Sequence, residues 1–349
     1  MPPPRSTDAR IDPMSEQATD RAPLLSVVIP TYGKAETLPL VVRALERQIV
    51  PRDAFEVVVI DDGSPDGTAG TLARLIAESP LRLRCFRQQN RGVSSARNRG
   101  VLESRGTIIL FIQDDIVAAP DLLSRHLALH ARHPEVTAAA AGRVVWPPDW
   151  SLDHFMRWLD RGGPQFKYHE VTGQSTLDYR HFYTCNVSLK RAALIAHPFD
   201  EEIVYGFEDI DLAYRLEAEG FVFHFDELAL GYHHHRRSFE DFKRRQFTAG
   251  QSLYVLIRNH PELEGKTGIV RISAMKRLRT RMRGIAFPLA QRLGASRMVE
   301  KYWQAELDTQ MVRGYRLAME RDRARAHSEG TGGPQEMRRP PGAASIDTR

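Results

Sequence analysis

The sequence predicts a layered α/β fold with a mostly parallel central sheet flanked by helices, and three observations carry that expectation. Short apolar runs rich in Val and Ile alternate with amphipathic segments of helical period through the first half of the chain. Three of those runs end in polar or acidic punctuation, at Pro30-Thr31-Tyr32, Asp61-Asp62-Gly63-Ser64 and Gln113-Asp114-Asp115. In a parallel sheet such ends open on one edge, where α/β folds bind ligands. Beyond Phe239 the strand pattern gives way to helical periodicity, which predicts a C-terminal helical extension.

Residues 1–22 are polar and punctuated by proline, and are expected to be a disordered tail. Leu24 to Pro30 (LLSVVIP) reads as the first strand, and Glu36 to Gln48, with Leu38, Val41, Val42 and Leu45 at helical spacing, as the first helix. Phe55 to Asp61 (FEVVVID) is the second strand, and a turn at Gly63 to Gly67 opens a helix with Leu72, Leu75 and Ile76 on one face. A more polar strand follows at Leu81 to Arg87, then a helix at Val93 to Ser104. Thr107 to Ile112 is a buried strand that delivers Asp114 and Asp115 to its carboxyl end; the pair either holds a metal ion or starts a turn. A helix from about Asp121 to Ala131 and a strand near Val136 to Val145 complete the alternation. Neither a G-x-G-x-x-G after the first strand nor a G-x-x-x-x-G-K-[ST] occurs, so a bound diphosphate needs another counter-charge, which a divalent cation on Asp115 would supply.

From Trp146 to Tyr183 the chain carries nine of its 29 aromatic residues. They suit either packing against sugar rings or stapling a loop to the body. The triplet Asn186-Val187-Ser188 matches an N-glycosylation acceptor and is taken as chance. Glu208 and Asp209 stand in the first turn of a helix from Ile210 to Ala218, where the helix dipole favours an ionised carboxylate; they cap that helix or serve as a general base. After a strand at Phe221 to Phe225 comes the run LALGYHHHRR (228–237); if it continues as a strand, His233 and His235 project to one side and His234 to the other.

Composition bounds the rest. Hydrophobic residues at 42% and charged residues at 27% are ordinary for a globular protein, and no apolar run reaches membrane-spanning length. The N-terminus lacks a secretory apolar core, and two cysteines, Cys85 and Cys185, cannot build a disulfide framework, so a cytoplasmic location is expected. Ten Lys/Arg against one acid between Lys266 and Lys301 make either a surface for anionic lipid headgroups or a solvated helical face. No aromatic-interleaved basic motif points to nucleic acid.

Five blocks in order carry a resemblance: SVVIPTYGKAETLPLVVRAL (26–45), VVVIDDGSPDGT (57–68), NRGVSSARNRG (90–100), FIQDDIVAAP (111–120) and GFEDIDLAYRLEAEGF (206–221). Together they resemble the inverting family-2 glycosyltransferases of the GT-A fold. The resemblance implies a GT-A domain over 23–240; the helical pattern beyond it, outside the family core, gives a helical extension over 241–326, and the end of the chain, rich in Gly, Pro and charge, reads as a second disordered tail over 327–349. It implies a nucleotide-sugar donor, a carbohydrate or glycolipid acceptor, and Mn²⁺ or Mg²⁺ as cofactor. By position, Pro30, Thr31 and Tyr32 would line the nucleoside and Asp62, with Asp61 beside it, would bond the base. Arg97 would sit near the diphosphate, Asp114 on the ribose, Asp115 on the metal, and Asp209 would be the base with Glu208 in reserve. His233 would be a further metal ligand, with His235 close behind. Gln113 stands where many members have a first acid, a departure that bears on ribose contacts more than on the metal. A non-catalytic nucleotide- or Mg²⁺-binding regulatory module is the alternative, although it would need only about 120 residues and would leave the second acidic block at Glu208 and Asp209 and the histidines unexplained.

Overall fold

The computed structural model describes residues 22–267, 285, 287–290 and 292–330. In order the strands and helices are β1 (Leu25–Thr31), α1 (Leu38–Glu46), β2 (Phe55–Asp61), α2 (Thr68–Glu78), β3 (Leu83–Arg87), α3 (Val93–Glu103), β4 (Ile108–Ile112), β5 (Ile116–Ala118), α4 (Leu122–Arg132), β6 (Ala138–Val145), α5 (His154–Arg161), β7 (Thr176–Leu177), β8 (Asn186–Lys190), α6 (Arg191–Ala196), α7 (Glu208–Ala218), β9 (Val222–His233) and α8 (Phe239–Asn259). A last long helix, α9, spans Ser296–Gly330. Residues 1–21 of the expected first tail, residues 331–349 of the expected second tail and most of the basic stretch 266–301 lie outside the described residues, while the first four residues of the second tail, 327–330, continue the helix α9. No described helix is long and apolar enough to cross a membrane.

The sheet runs β3-β2-β1-β4-β8-β6-β9-β5, with β7 paired to β9. Every residue of β1, β2 and β4 is buried, as expected of central parallel strands covered on both faces by helices. β3, β2, β1 and β4 are mutually parallel, so their carboxyl ends open on one edge. β8 then enters antiparallel between β4 and β6, and β9 lies parallel to β6. The strand expected at 221–225 does continue into the histidine run: β9 runs unbroken through a register shift opposite Gly142 and Arg143, a bulge that turns its end back toward the acidic edge, but it stops at His233, so His234 and His235 lie beyond the strand and not on its two faces.

Asp114 and Asp115 do sit in a tight turn, closed by Ile116 N donating to the Gln113 carbonyl at 3.1 Å, and the chain then runs straight into β5, whose three residues pair antiparallel with the end of β9 in the register Ile116↔His233. His234 N–H donates to the Asp115 carbonyl at 2.7 Å, which brings the histidine run alongside the acidic strand end. Asn186 and Ser188 of β8 are fully buried, and His126 of α4 bonds both, at 2.9 and 2.8 Å. The glycosylation triplet is thus interior strand.

The aromatic segment divides between two tasks. Phe155 and Leu159 of α5 pack with Phe242 of α8 and Trp303 of α9, tying the helical extension to α5. Trp146, Phe166 and Tyr168 face the other way, toward His233 and Arg143.

Candidate active site

A cleft of about 340 Å³ opens at the carboxyl ends of β1, β2 and β4. Pro30, Thr31, Tyr32, Asp62, Asp114, Asp115 and His235 line it. So do several residues to which the sequence assigned no role, among them Lys34, Asn90, Tyr205 and Arg237.

Asp62 organises one wall. Its Oδ1 accepts from Gln88 Nε2 (2.8 Å) and Arg91 N (3.0 Å), and its Oδ2 from Gly92 N (2.8 Å), which fixes the loop 88–92 over the cleft. Gly92 has φ +92°, and a Cβ there would meet Val204 Cγ1 at 2.7 Å, so only glycine fits between this loop and residue 204. Asp61 faces away from the cleft, accepting from Ser64 N at 2.8 Å and pairing with Arg87 at 2.9 Å.

Asp114 and Asp115 sit side by side with opposite fates. Burial and the neighbouring Asp115 charge push the Asp114 carboxyl up to about 7, against the pull of Lys34. Burial acts on Asp115 as well, but His233, His235 and Lys34 outweigh it and hold this carboxyl well below the usual range. Asp115 Oδ2 lies 3.0 Å from His235 Nδ1, and Oδ1 lies 3.6 Å from His233 Nε2. One ligand atom from each of Asp115, His233 and His235 lies within 4.8 Å of the others.

The donor set fits a divalent cation. Asp115 Oδ1 and His233 Nε2 are both buried with no hydrogen-bond partner, an arrangement that costs stability unless something binds there. Carboxylate with imidazole suits Mn²⁺, and Trp146 stacks on His233 at 4.9 Å between centroids and holds the ring in place.

Glu208 and Asp209 open α7. Arg97, completely buried, donates from Nη1 to Glu208 Oε1 at 2.8 Å and lies over the Phe199 ring. Its guanidinium therefore faces Glu208 and does not line the cleft, whereas Arg237 does. Asp209, half-buried, accepts from Ile210 N at 2.9 Å. Its carboxyl is pushed up to about 7, by burial first and then by the Glu208 charge; these outweigh the helix dipole that the sequence suggested would keep it ionised. Asp209 also stands outside the residues lining the cleft, and burial first, then the charges of Asp209 and Asp115, push the Cys185 thiol up. The turn before α7 is strained: Phe207 has φ +71°, a conformation rare for a bulky side chain and found where neighbours enforce it. Those neighbours come from α8, where Ala249 packs on Gly206 and Ser252 Oγ donates to the Tyr205 carbonyl at 2.8 Å.

On the far side of His233 is a second cavity of about 120 Å³, walled by Trp146, Phe166, Tyr168, Arg143 and Gln165. Arg143 Nε and Gln165 Oε1 are buried there without partners.

Residues 26–195 match the family described as Glycosyl transferase family 2. The chain is 33% identical over 230 residues to a validoxylamine A glucosyltransferase of Streptomyces hygroscopicus subsp. jinggangensis, covering 58% of this chain and 53% of that protein. It is 30% identical over 249 residues to the uncharacterized glycosyltransferase YfnE of Bacillus subtilis, covering 57% and 61%. The chain thus spans little more than half the length of these relatives. Among solved structures, the mannosyltransferase PcManGT of Pyrobaculum calidifontis, in complex with GDP-Man and Mn²⁺, superposes with a TM-score of 0.54 at 18% identity, over 93% of this chain and 82% of that one. S. aureus TarS in complex with UDP superposes with a TM-score of 0.50 at 16% identity, over 86% and 91%.

Proposed function

We propose that the protein is a family-2 glycosyltransferase that moves a sugar from a nucleotide-sugar donor to an acceptor hydroxyl, with a divalent cation and with inversion at the anomeric carbon; the match of residues 26–195 to glycosyl transferase family 2 and the likeness of the fold to solved glycosyltransferases support this reading. The observation that carries this is the convergence of Asp115, His233 and His235 at the mouth of a cleft walled by three parallel strand ends. Two fold neighbours were solved with UDP and with GDP-Man plus Mn²⁺, which supports a nucleotide in that cleft.

Tyr32, Asn90 and Val93 offer a slot for the nucleoside, with Asp62 holding the loop 88–92 in place. Asp114 faces the ribose, and Arg237 and Lys34 supply positive charge for the diphosphate. When bound at Asp115, His233 and His235, a divalent cation supplies Lewis-acid stabilisation of the departing diphosphate. Asp209 takes the proton from the acceptor hydroxyl; with its carboxyl near 7 it is poised for proton transfer at neutral pH. The oxygen so activated attacks the anomeric carbon in line with the leaving diphosphate, a single displacement that inverts the centre. The second cavity, with aromatic walls and the unpartnered Arg143 and Gln165 atoms, is suited to an acceptor sugar.

A panel of nucleotide-sugars, assayed for donor hydrolysis with and without Mn²⁺, tests the proposal. Asp115→Ala is expected to abolish metal-dependent turnover and to weaken nucleoside diphosphate binding measured by calorimetry; full metal-dependent activity in that variant would refute the assignment. A protein that binds nucleotide but never turns over any donor would instead be a nucleotide-binding module.

A further inference from the structure

Lys34 already sits where a cation is needed. Its Nζ lies 3.0 Å from Asp115 Oδ2 and 3.1 Å from His235 Nδ1, so the ammonium contacts two of the three residues suited to a divalent ion. Asp115 is only 5% exposed at its side chain, and a carboxylate that buried needs a positive partner. The backbone beneath Lys34 is pinned, with Gly33 N donating to Ser64 Oγ at 3.0 Å and Lys34 N to Thr68 Oγ1 at 3.1 Å. The side chain, a quarter exposed on a flexible four-carbon stem, is the part free to move. An ammonium and a divalent ion cannot share the same carboxylate oxygen and imidazole nitrogen at these distances, because their charges repel.

We propose that Lys34 is a tethered cation: it occupies Asp115 and His235 in the donor-free protein and yields them to a divalent ion when a nucleoside diphosphate offers its ammonium another anion. The first half stands on the contacts alone; the second rests on the donor reading above. Metal and nucleotide binding are thereby coupled. The ion meets a competitor when it arrives alone, and the competitor leaves when both ligands are present. In this role Lys34 adds to the affinity for the pair and suppresses capture of loose metal by the empty cleft.

The test uses the full chain and MnCl₂ as the probe, with binding followed by calorimetry and by loss of the free Mn²⁺ spin signal. Lys34→Met is expected to bind Mn²⁺ alone about tenfold more tightly than the parent, while Lys34→Arg, which keeps the charge, stays close to the parent. With saturating UDP or GDP, the parent's Mn²⁺ affinity should rise steeply, and the same nucleotide should raise that of Lys34→Met by about tenfold less. Matching melting curves confirm that the variants are folded. Mn²⁺ affinity unchanged or weakened in Lys34→Met overturns the tethered cation, whatever the nucleotides do. A gain in Mn²⁺ affinity with no nucleotide bound by either protein supports Lys34 as competitor and overturns the handover together with the donor reading.

Discussion

Replacing Glu208 by Gln is expected to move the pH dependence of the proposed transfer without touching the cleft. The Asp209 carboxyl is pushed up to about 7 by its burial and by the Glu208 charge one residue away. With a value near 7, about a tenth of the base is ionised at pH 6, so kcat/KM should fall roughly tenfold per unit on the acid side. The Glu208→Gln change removes the like charge, and it also releases Arg97, whose Nη1 is held 2.8 Å from Glu208 Oε1, to act on Asp209 alone. Both changes favour the carboxylate, so the acid limb should shift down by about 1–2 units. Asp114 is also pushed up to about 7, so the parent profile by itself does not identify the titrating group. Asp114 lies with Asp115 and Lys34, not with Glu208, and its limb should not respond. Initial rates between about pH 5 and pH 9 with excess Mn²⁺ decide the matter, and Asp209→Asn, expected to bind donor without turnover, is the companion variant. A limb that stays in place in a folded Glu208→Gln protein refutes Asp209 as the base.

Arg97→Met leaves Glu208 buried and unpaired, and should cost about 3–5 kcal/mol in denaturant unfolding; a loss under 1 kcal/mol, as for an exposed pair, would show that the pair is solvated. Gly250 and Gly314 let α8 and α9 touch backbone to backbone, since a Cβ on either would come within 2.0 or 1.9 Å of a carbonyl oxygen of the other helix. Gly314→Ala should therefore lower stability by about 1–3 kcal/mol even though alanine favours a helix, and an unchanged or raised melting temperature would show that the helices do not cross there. His126 is fully buried and burial holds its ring down at about 4, while in the unfolded chain it titrates near 6.5. The unfolded state thus binds the extra proton, so stability present above pH 6.5 is lost as pH falls toward 4, by about 3 kcal/mol in full. His126→Gln should flatten that acid limb of the melting temperature, and an equally steep limb would assign acid lability elsewhere.

How much of the fold could be read from residues depended on whether a segment was apolar for its own reasons. β1, β2 and β4 are buried on both faces and carry unbroken Val and Ile runs, so their positions and the polar edge they share were legible. β8 was not, because its interior positions Asn186 and Ser188 are polar and become tolerable only through the rings of His126 and His130 on a distant helix. β5, at three residues, is too short for any period to register. The paired helices α8 and α9 meet through glycines that score poorly as helix formers.

The site was legible to the same degree and for the same reason. Acids at strand ends announce themselves in sequence, but what they do is set by residues that arrive from elsewhere. Asp115 and His235 lie 120 positions apart and meet because Ile116 pairs with His233, a register created by the unread strand β5 and the bulge in β9. Arg97 shows the converse. It belongs to a block of recognisable pattern, yet its guanidinium turns to Glu208, because α7 brings a buried carboxylate within 2.8 Å and a buried charge takes the partner it can reach. Lys34 stood in another such block without a role, since a lysine after a strand end is most simply a solvated side chain. Only the convergence of Asp115 and His235 on its ammonium makes it part of the proposed metal pole, and so the chemistry at this edge is specified by pairing register as much as by the acids that mark it.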